Sequence, residues 1–193
     1  QKQVFFVFYG NPDAELPRYP SDLETTGEGF GLDISNAFFK ASLSRQTGQL
    51  ERLTLRREHG LELFSGGEGH GEAPGIDWAH DYVDTGSFQK LLISLWDTCP
   101  DFEVVRGPIC TIIRRWGFPY SPVHPIYSPA RLKIDVEYRF YTGLPWFLKH
   151  GTMTAVQDFR AEAMRDDEWV FSGQSFTDSV WMDQHGKLQI GNV

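Results

Sequence analysis

From Leu132 to Phe140 the chain alternates without a break. Leu132, Ile134, Val136, Tyr138 and Phe140 are apolar or aromatic, and Lys133, Asp135, Glu137 and Arg139 between them are charged. A helix would scatter these side chains around its axis, whereas a strand sends successive residues to opposite faces. The run therefore demands a β-strand with one buried and one wet face, ended by Gly143 and Pro145. Such a strand needs a sheet, and the apolar face of that sheet needs a cover.

The same period recurs along the chain. Phe39, Ala41 and Leu43 alternate with Lys40, Ser42 and Ser44; the turn Gln46-Thr47-Gly48-Gln49 follows; Leu53 and Leu55 then alternate with Thr54 and Arg56. This predicts a hairpin with one apolar face. Further strands are expected at Gln3–Tyr9, Phe30–Ile34, Leu61–Phe64, Phe88–Trp96, Phe102–Arg106, Thr111–Trp116, Trp146–Thr154, Glu168–Ser172 and Ser179–Asp183. Phe159–Arg165 fits a helix and a strand equally well. Strands of this length and spacing point to an all-β sandwich or barrel. Most of the 15 Phe, 7 Tyr and 6 Trp are expected in its core, because aromatic side chains bury large area and dominate sheet packing. At 193 residues the expectation is one domain over 1–193, with three long irregular connections at Asn11–Gly29, Gly66–Ser87 and Phe118–Ala130.

Charge and cysteine content narrow the function classes. The net charge is −8, with no basic tract, so nucleic acid and anionic membrane are excluded as expected partners. No apolar run approaches the roughly 18 residues that span a bilayer. The apolar stretch Gln3–Tyr9 is too short for a signal peptide and lacks a cleavage pattern. Cys99 and Cys110 flank a short segment that can form a hairpin, so both a disulfide and two free, half-buried thiols are open. Neither has the spacing of a zinc site, and the compartment is not fixed by them.

The segment Ser65–Tyr82, SGGEGHGEAPGIDWAHDY, concentrates chemistry-bearing side chains in an irregular, Gly-rich stretch. His70, Glu72, Asp77 and His80 offer nitrogen and oxygen ligands for a divalent metal, at a spacing that matches no strong metal motif. The plainer alternative is that Asp77 and His80 tie the loop to backbone. In an extended backbone His80 and Tyr82 share a face. Its GGEGHG lacks the GK[ST] ending of a P-loop. A second cluster runs from Arg114-Arg115-Trp116 through Tyr120 to His124. An arginine fork recognises carboxylates, and Trp and Tyr faces stack on pyranose rings. Adjacent arginines on a strand face opposite ways, so one reaches a site while the other pairs with a neighbouring carboxylate or lies in the core. The run Arg165-Asp166-Asp167-Glu168 reads as a solvated turn or an alternative oxygen source for a metal. There is no GxSxG and no GxGxxG, which argues against a serine triad and a dinucleotide site.

Two stretches also carry a family resemblance. FFKASLSRQTGQLERLTLR resembles the strand–TG–strand element that opens galactose-mutarotase-like β-sandwich domains. ARLKIDVEYRFYTGLPWFLKHGTMTA resembles their long alternating strand, Y-x-F-Y-x-G-L-P corner and returning strand. The resemblance implies a large antiparallel β-sandwich of the supersandwich type, with long loops at one end. Such domains occur in sugar mutarotases, glycoside hydrolases and polysaccharide lyases, and as non-catalytic sandwiches beside a helical catalytic domain. No catalytic motif of theirs aligns residue by residue, so no role carries over.

The functional expectation is a carbohydrate-active protein, foremost a lyase acting on an acidic saccharide by proton abstraction and elimination. His80 or His124 would be the base and Tyr82 or Tyr120 the acid; Arg114 or Arg115 would neutralise the sugar carboxylate. Trp78 and Trp116 would form the sugar platform, with Asp77 as a further contact. A sugar epimerase or mutarotase would use a similar set. A glycosidase would need two flanking carboxylates, Asp77 or Asp81 with Glu168. The remaining alternative is a non-catalytic glycan-binding or structural subunit of a larger enzyme, with a second protein chain or an oligomer as partner. It draws on the abrupt ends at Gln1 and Val193.

Overall fold

The computed structural model describes residues 3–4, 6, 9–15, 18–56, 60–63, 75–77, 101–118, 132–158, 168–170, 176 and 178–192. There is no helix among the described residues. The strands are β1 (Glu24–Glu28), β2 (Gly31–Ser35), β3 (Phe39–Leu43), β4 (Leu50–Leu55), β5 (Leu61–Glu62), β6 (Gly75–Asp77) and β7 (Asp101–Arg106). They continue with β8 (Cys110–Gly117), β9 (Leu132–Tyr141), β10 (Phe147–Ala155), β11 (Glu168–Val170), β12 (Asp178–Met182) and β13 (Leu188–Asn192).

One sheet has the order β1-β2-β3-β4-β6-β11, with β5 also paired to β4. A second has the order β10-β9-β8-β7, and β12 with β13 forms a separate hairpin. All these pairings are antiparallel. The chain is thus an all-β protein with a sandwich-like core.

That core follows from the alternation. Leu32 and Ile34 of β2, Phe39, Ala41 and Leu43 of β3, and Leu50 and Leu53 of β4 are buried on one side. Ile113 of β8 and Ile134, Val136, Tyr138 and Phe140 of β9 meet them from the other sheet, and together they form one cluster. Phe39 lies 6.2 Å from Phe140 and 6.0 Å from Phe147, ring centre to ring centre. The hairpin β12–β13 contributes nothing to this cluster.

The sandwich has two distinct ends. At one, which we call the clasp end, Asn36 donates through Nδ2 to the carbonyls of Tyr141 (3.1 Å) and Leu144 (2.9 Å). Asp22 accepts there from the Thr142 hydroxyl and the Gly143 N–H, both at 2.7 Å, and from the Ala37 N–H at 2.9 Å. At the other, the turn end, the chain from Ser44 to Gln49 reverses between β3 and β4. Gly48 is required in this turn for two reasons. Its φ of +69° is left-handed, and a Cβ would fall 2.5 Å from Arg115 Cδ and 2.9 Å from a Phe30 ring carbon.

The differences from the pattern-based expectation are local. β1 lies inside the stretch expected to be a loop, Asn11–Gly29: ETTGE shows no apolar alternation, and the strand is held by its backbone ladder to β2 and by a hydrogen bond between the Thr25 and Thr111 hydroxyls at 2.8 Å. β6 likewise interrupts the Gly66–Ser87 connection. Of the expected strand Gln3–Tyr9, the described positions Gln3, Val4, Phe6 and Tyr9 are not in a strand. β13 went unanticipated although Leu188 and Ile190 alternate after the Gly186 turn. Phe88–Trp96 and Phe159–Arg165 lie outside the described residues.

Two outcomes test this frame. The Thr142 hydroxyl, followed by the Ala37 and Gly143 N–H groups, holds the Asp22 carboxyl down from 3.8 to about 2. A lowered native value means the clasp stabilises fully above 3.8 and is lost as pH falls through about 2. Tm measured against pH should therefore show Asp22→Asn below wild type at neutral pH, with the gap closing in acid; a gap independent of pH would contradict the assignment. Gly48→Ala should cost on the order of 2 kcal/mol in denaturant unfolding, from strain and overlap with Arg115.

Candidate functional site

Strand β8 presents three of the residues singled out by sequence, and its alternation separates them. Thr111, Ile113, Arg115 and Gly117 face the core, and Ile112, Arg114 and Trp116 face outward. In register, Arg114 lies opposite Glu137 and Trp116 opposite Asp135 on β9. Arg114 donates to both oxygens of Asp135, from Nε to Oδ1 at 2.9 Å and from the terminal nitrogen to Oδ2 at 2.5 Å. Its guanidinium carbon sits 5.0 Å from the centre of the Trp116 ring. The hydrogen bonds and charge of Asp135 push the Arg114 pKa further up. An exposed cation, a half-buried indole and a carboxylate thus form one unit on the outer face.

Arg115 has the opposite environment. It is 0 % exposed, donates to the Thr47 carbonyl, and lies 5.6 Å from the Tyr138 ring centre. The Tyr138 hydroxyl in turn accepts from the Leu50 N–H at 3.4 Å. A buried guanidinium is tolerated where its donors find partners, and here the carbonyl of Thr47 and the Tyr138 ring supply part of that, while Nε has no hydrogen-bond partner among the described residues. Here it anchors the 44–49 turn on the opposing sheet. Of the two arginines, Arg114 is the one open to a ligand.

Most other sequence candidates fall elsewhere. Trp78, His80, Tyr82, Tyr120 and His124 lie outside the described residues, as do His70, Glu72 and Cys99. Asp77 is described through its backbone, as the last residue of β6. Among the described residues, no group of three or more His, Cys, Asp or Glu side chains is arranged to hold a metal. Cys110 is a free, half-buried thiol whose pKa is pushed up by burial, the wrong direction for a nucleophile.

The registers say where the intervening segments begin and end. β8 finishes at Gly117 opposite Ile134, near the start of β9, so the strand ends that flank residues 119–131 both lie at the turn end. β10 finishes there too, Ala155 opposite Leu132. β7 begins there, Asp101 opposite Trp116. In the other sheet β6 runs antiparallel to β4, with Ile76 opposite Leu50, the first residue after the turn; β6 therefore also points to this end. Glu168 opens β11 opposite Asp77. The connections 78–100, 119–131 and 156–167 are thus each anchored at both ends on the turn end of the sandwich. The segment that precedes β1 differs: it reaches that strand at the clasp end, through Asp22.

An aromatic pair escaped the sequence reading. Tyr141 and Trp146 lie 5.4 Å apart at the β9–β10 corner, with Trp146 exposed. Its sequence signal is YTGLPW, in which two aromatics flank a Gly-Leu-Pro corner.

No protein-family model, no curated protein and no solved structure matches this chain.

The two arginines should separate cleanly in thermal unfolding. Arg115→Ala removes the donor to Thr47 and leaves a void beneath the turn, and should cost about 3 kcal/mol or more. Arg114→Ala should leave Tm almost unchanged, because its ion pair is solvent-exposed.

Proposed function

We propose that this chain is a carbohydrate-active β-sandwich that acts on an acidic saccharide by proton abstraction and elimination. Support comes chiefly from the common anchoring of the connections 78–100, 119–131 and 156–167 at the turn end. These connections contain His80 and Tyr82, Tyr120 and His124, and Asp166 and Asp167. Further support comes from the resemblance of 38–56 and 130–155 to galactose-mutarotase-like domains, and from Arg114 and Trp116 within the last turnward residues of β8.

In the proposed reaction His80 or His124 takes the proton next to the sugar carboxylate. The electron pair forms the new carbon–carbon double bond as the glycosidic carbon–oxygen bond breaks. Tyr82 or Tyr120 returns a proton to the departing oxygen. Arg114, shared between Asp135 and the substrate carboxylate, stabilises the charge that develops there. Trp116 and Trp78 carry the apolar faces of the sugar, and Asp77 takes a hydroxyl. An epimerase would take the same carbon-bound proton and return one on the opposite face, whereas a mutarotase would take the proton of the anomeric hydroxyl while the ring oxygen is protonated and the ring opens.

A second reading, glycan binding without turnover, is favoured by the Tyr141–Trp146 pair at the clasp end, in which Trp146 is exposed.

The test is incubation with uronate-containing and neutral glycans, followed by ultraviolet absorbance of the conjugated product. We expect product from a uronate glycan, with His80→Ala and His124→Ala each reducing kcat by about 10²–10⁴-fold. Binding without product, insensitive to both substitutions and lost on Trp146→Ala, would instead establish the binding module.

A further inference from the structure

The outward face of the first sheet carries an open cleft of about 360 Å³, a size within the range of small-molecule sites. Its floor is the backbone of Gly27 and Gly31, and its walls include Asp33, Ser42, Arg45, Gln46 and Glu51.

Three features build it. At Gly31 a Cβ would fall 2.6 Å from the Cα of Arg45, so the absence of a side chain is what lets the turn lie directly on β2. The Ser44 hydroxyl accepts from the Gln46 and Thr47 N–H groups at 3.2 Å each and fixes the turn's shape. The register shifts between Ser42 and Leu43, where Leu43 faces Leu50 but Ser42 faces Arg52. Glu51 is the extra residue of that bulge, and bulges commonly re-aim a side chain at a site. Ser42 donates to Asp33 Oδ1 at 2.6 Å, which orients the carboxylate and leaves Oδ2 available. Arg45 is exposed, with no ion pair among the described residues.

The chemistry of the lining selects a ligand class. Two carboxylates accept hydrogen bonds; a guanidinium and an amide donate them. A sugar hydroxyl does both, so vicinal hydroxyls match this alternation. With two carboxylates to one cation the cleft carries a net negative charge, which disfavours an anion. We propose that this cleft is a binding subsite for a single neutral pyranose unit. It is independent of the elimination chemistry above, because no cleft residue belongs to the connections that carry it.

The test is a titration of the ¹⁵N-labelled chain, separately with glucose, galactose, mannose and N-acetylglucosamine, and with galacturonate as the charged control. At least one neutral sugar should saturably shift the amides of Gly31, Asp33 and Ser42 to Gln46, with Kd on the order of millimolar. Asp33→Asn and Arg45→Ala should each weaken it about tenfold, Glu51→Gln should weaken it as well, and His80→Ala should leave it unchanged. Spectral dispersion reports whether each variant is folded. No shift at these amides with any neutral sugar at on the order of 100 mM would overturn the proposal. So would shifts that survive both Asp33→Asn and Arg45→Ala, or tighter binding of galacturonate than of every neutral sugar.

Discussion

The architecture depends on covering the inward face of β9. Ile134, Val136, Tyr138 and Phe140 are each 0 % exposed, a row of four side chains spanning most of one strand. Nothing within their own sheet can shield them, since in-plane neighbours leave both faces of a sheet open. The cover is β3 and β4, whose Phe39, Ala41, Leu43, Leu50 and Leu53 close the gap. Because the side-chain period is two, this pairing also decides the outside: once Val136 points in, Asp135 and Glu137 must point out. The Arg114–Asp135 bond and its stacking on Trp116 are therefore consequences of core packing as much as of surface chemistry.

Strands with an apolar stripe were legible in the sequence, and those without one were not. β9, β3 and β8 carry their burial in their composition, and the opposed directions of Arg114 and Arg115 followed from strand geometry alone. β6 is held by backbone hydrogen bonds to strands distant in sequence, which GID does not record, whereas β1 forms a tight hairpin with β2, Glu28 opposite Gly31, in a sequence, ETTGE, with no apolar alternation to mark it. The candidate site was legible in residue type but not in position. Arg114 and Trp116 share an outer face because period two puts them there. The cleft around Asp33 and Glu51 has no sequence motif, because it arises from pairing across β2, β3 and β4 and from a one-residue bulge.

The two neighbouring arginines show how one strand can serve two needs. Arg115 lies inside, bonded to the 44–49 turn of the opposing sheet; Arg114 remains outside, where its fork engages both oxygens of the Asp135 carboxylate. Lysine would replace neither well. A point charge lacks the fork that engages both Asp135 oxygens, and it lacks the planar face that lies against Trp116 or Tyr138.

The unequal ends of the sandwich have an evolutionary consequence. The strand ends that flank connections 78–100, 119–131 and 156–167 all lie on the same rim, while the opposite rim is locked by Asp22 and Asn36. A segment whose two anchors sit on a rigid rim can be lengthened, shortened or exchanged at small entropic cost, growing only with the logarithm of its length. The strands thus act as a fixed chassis, and descendants of this chain can acquire new specificities by replacing cassettes at one rim without renegotiating the core.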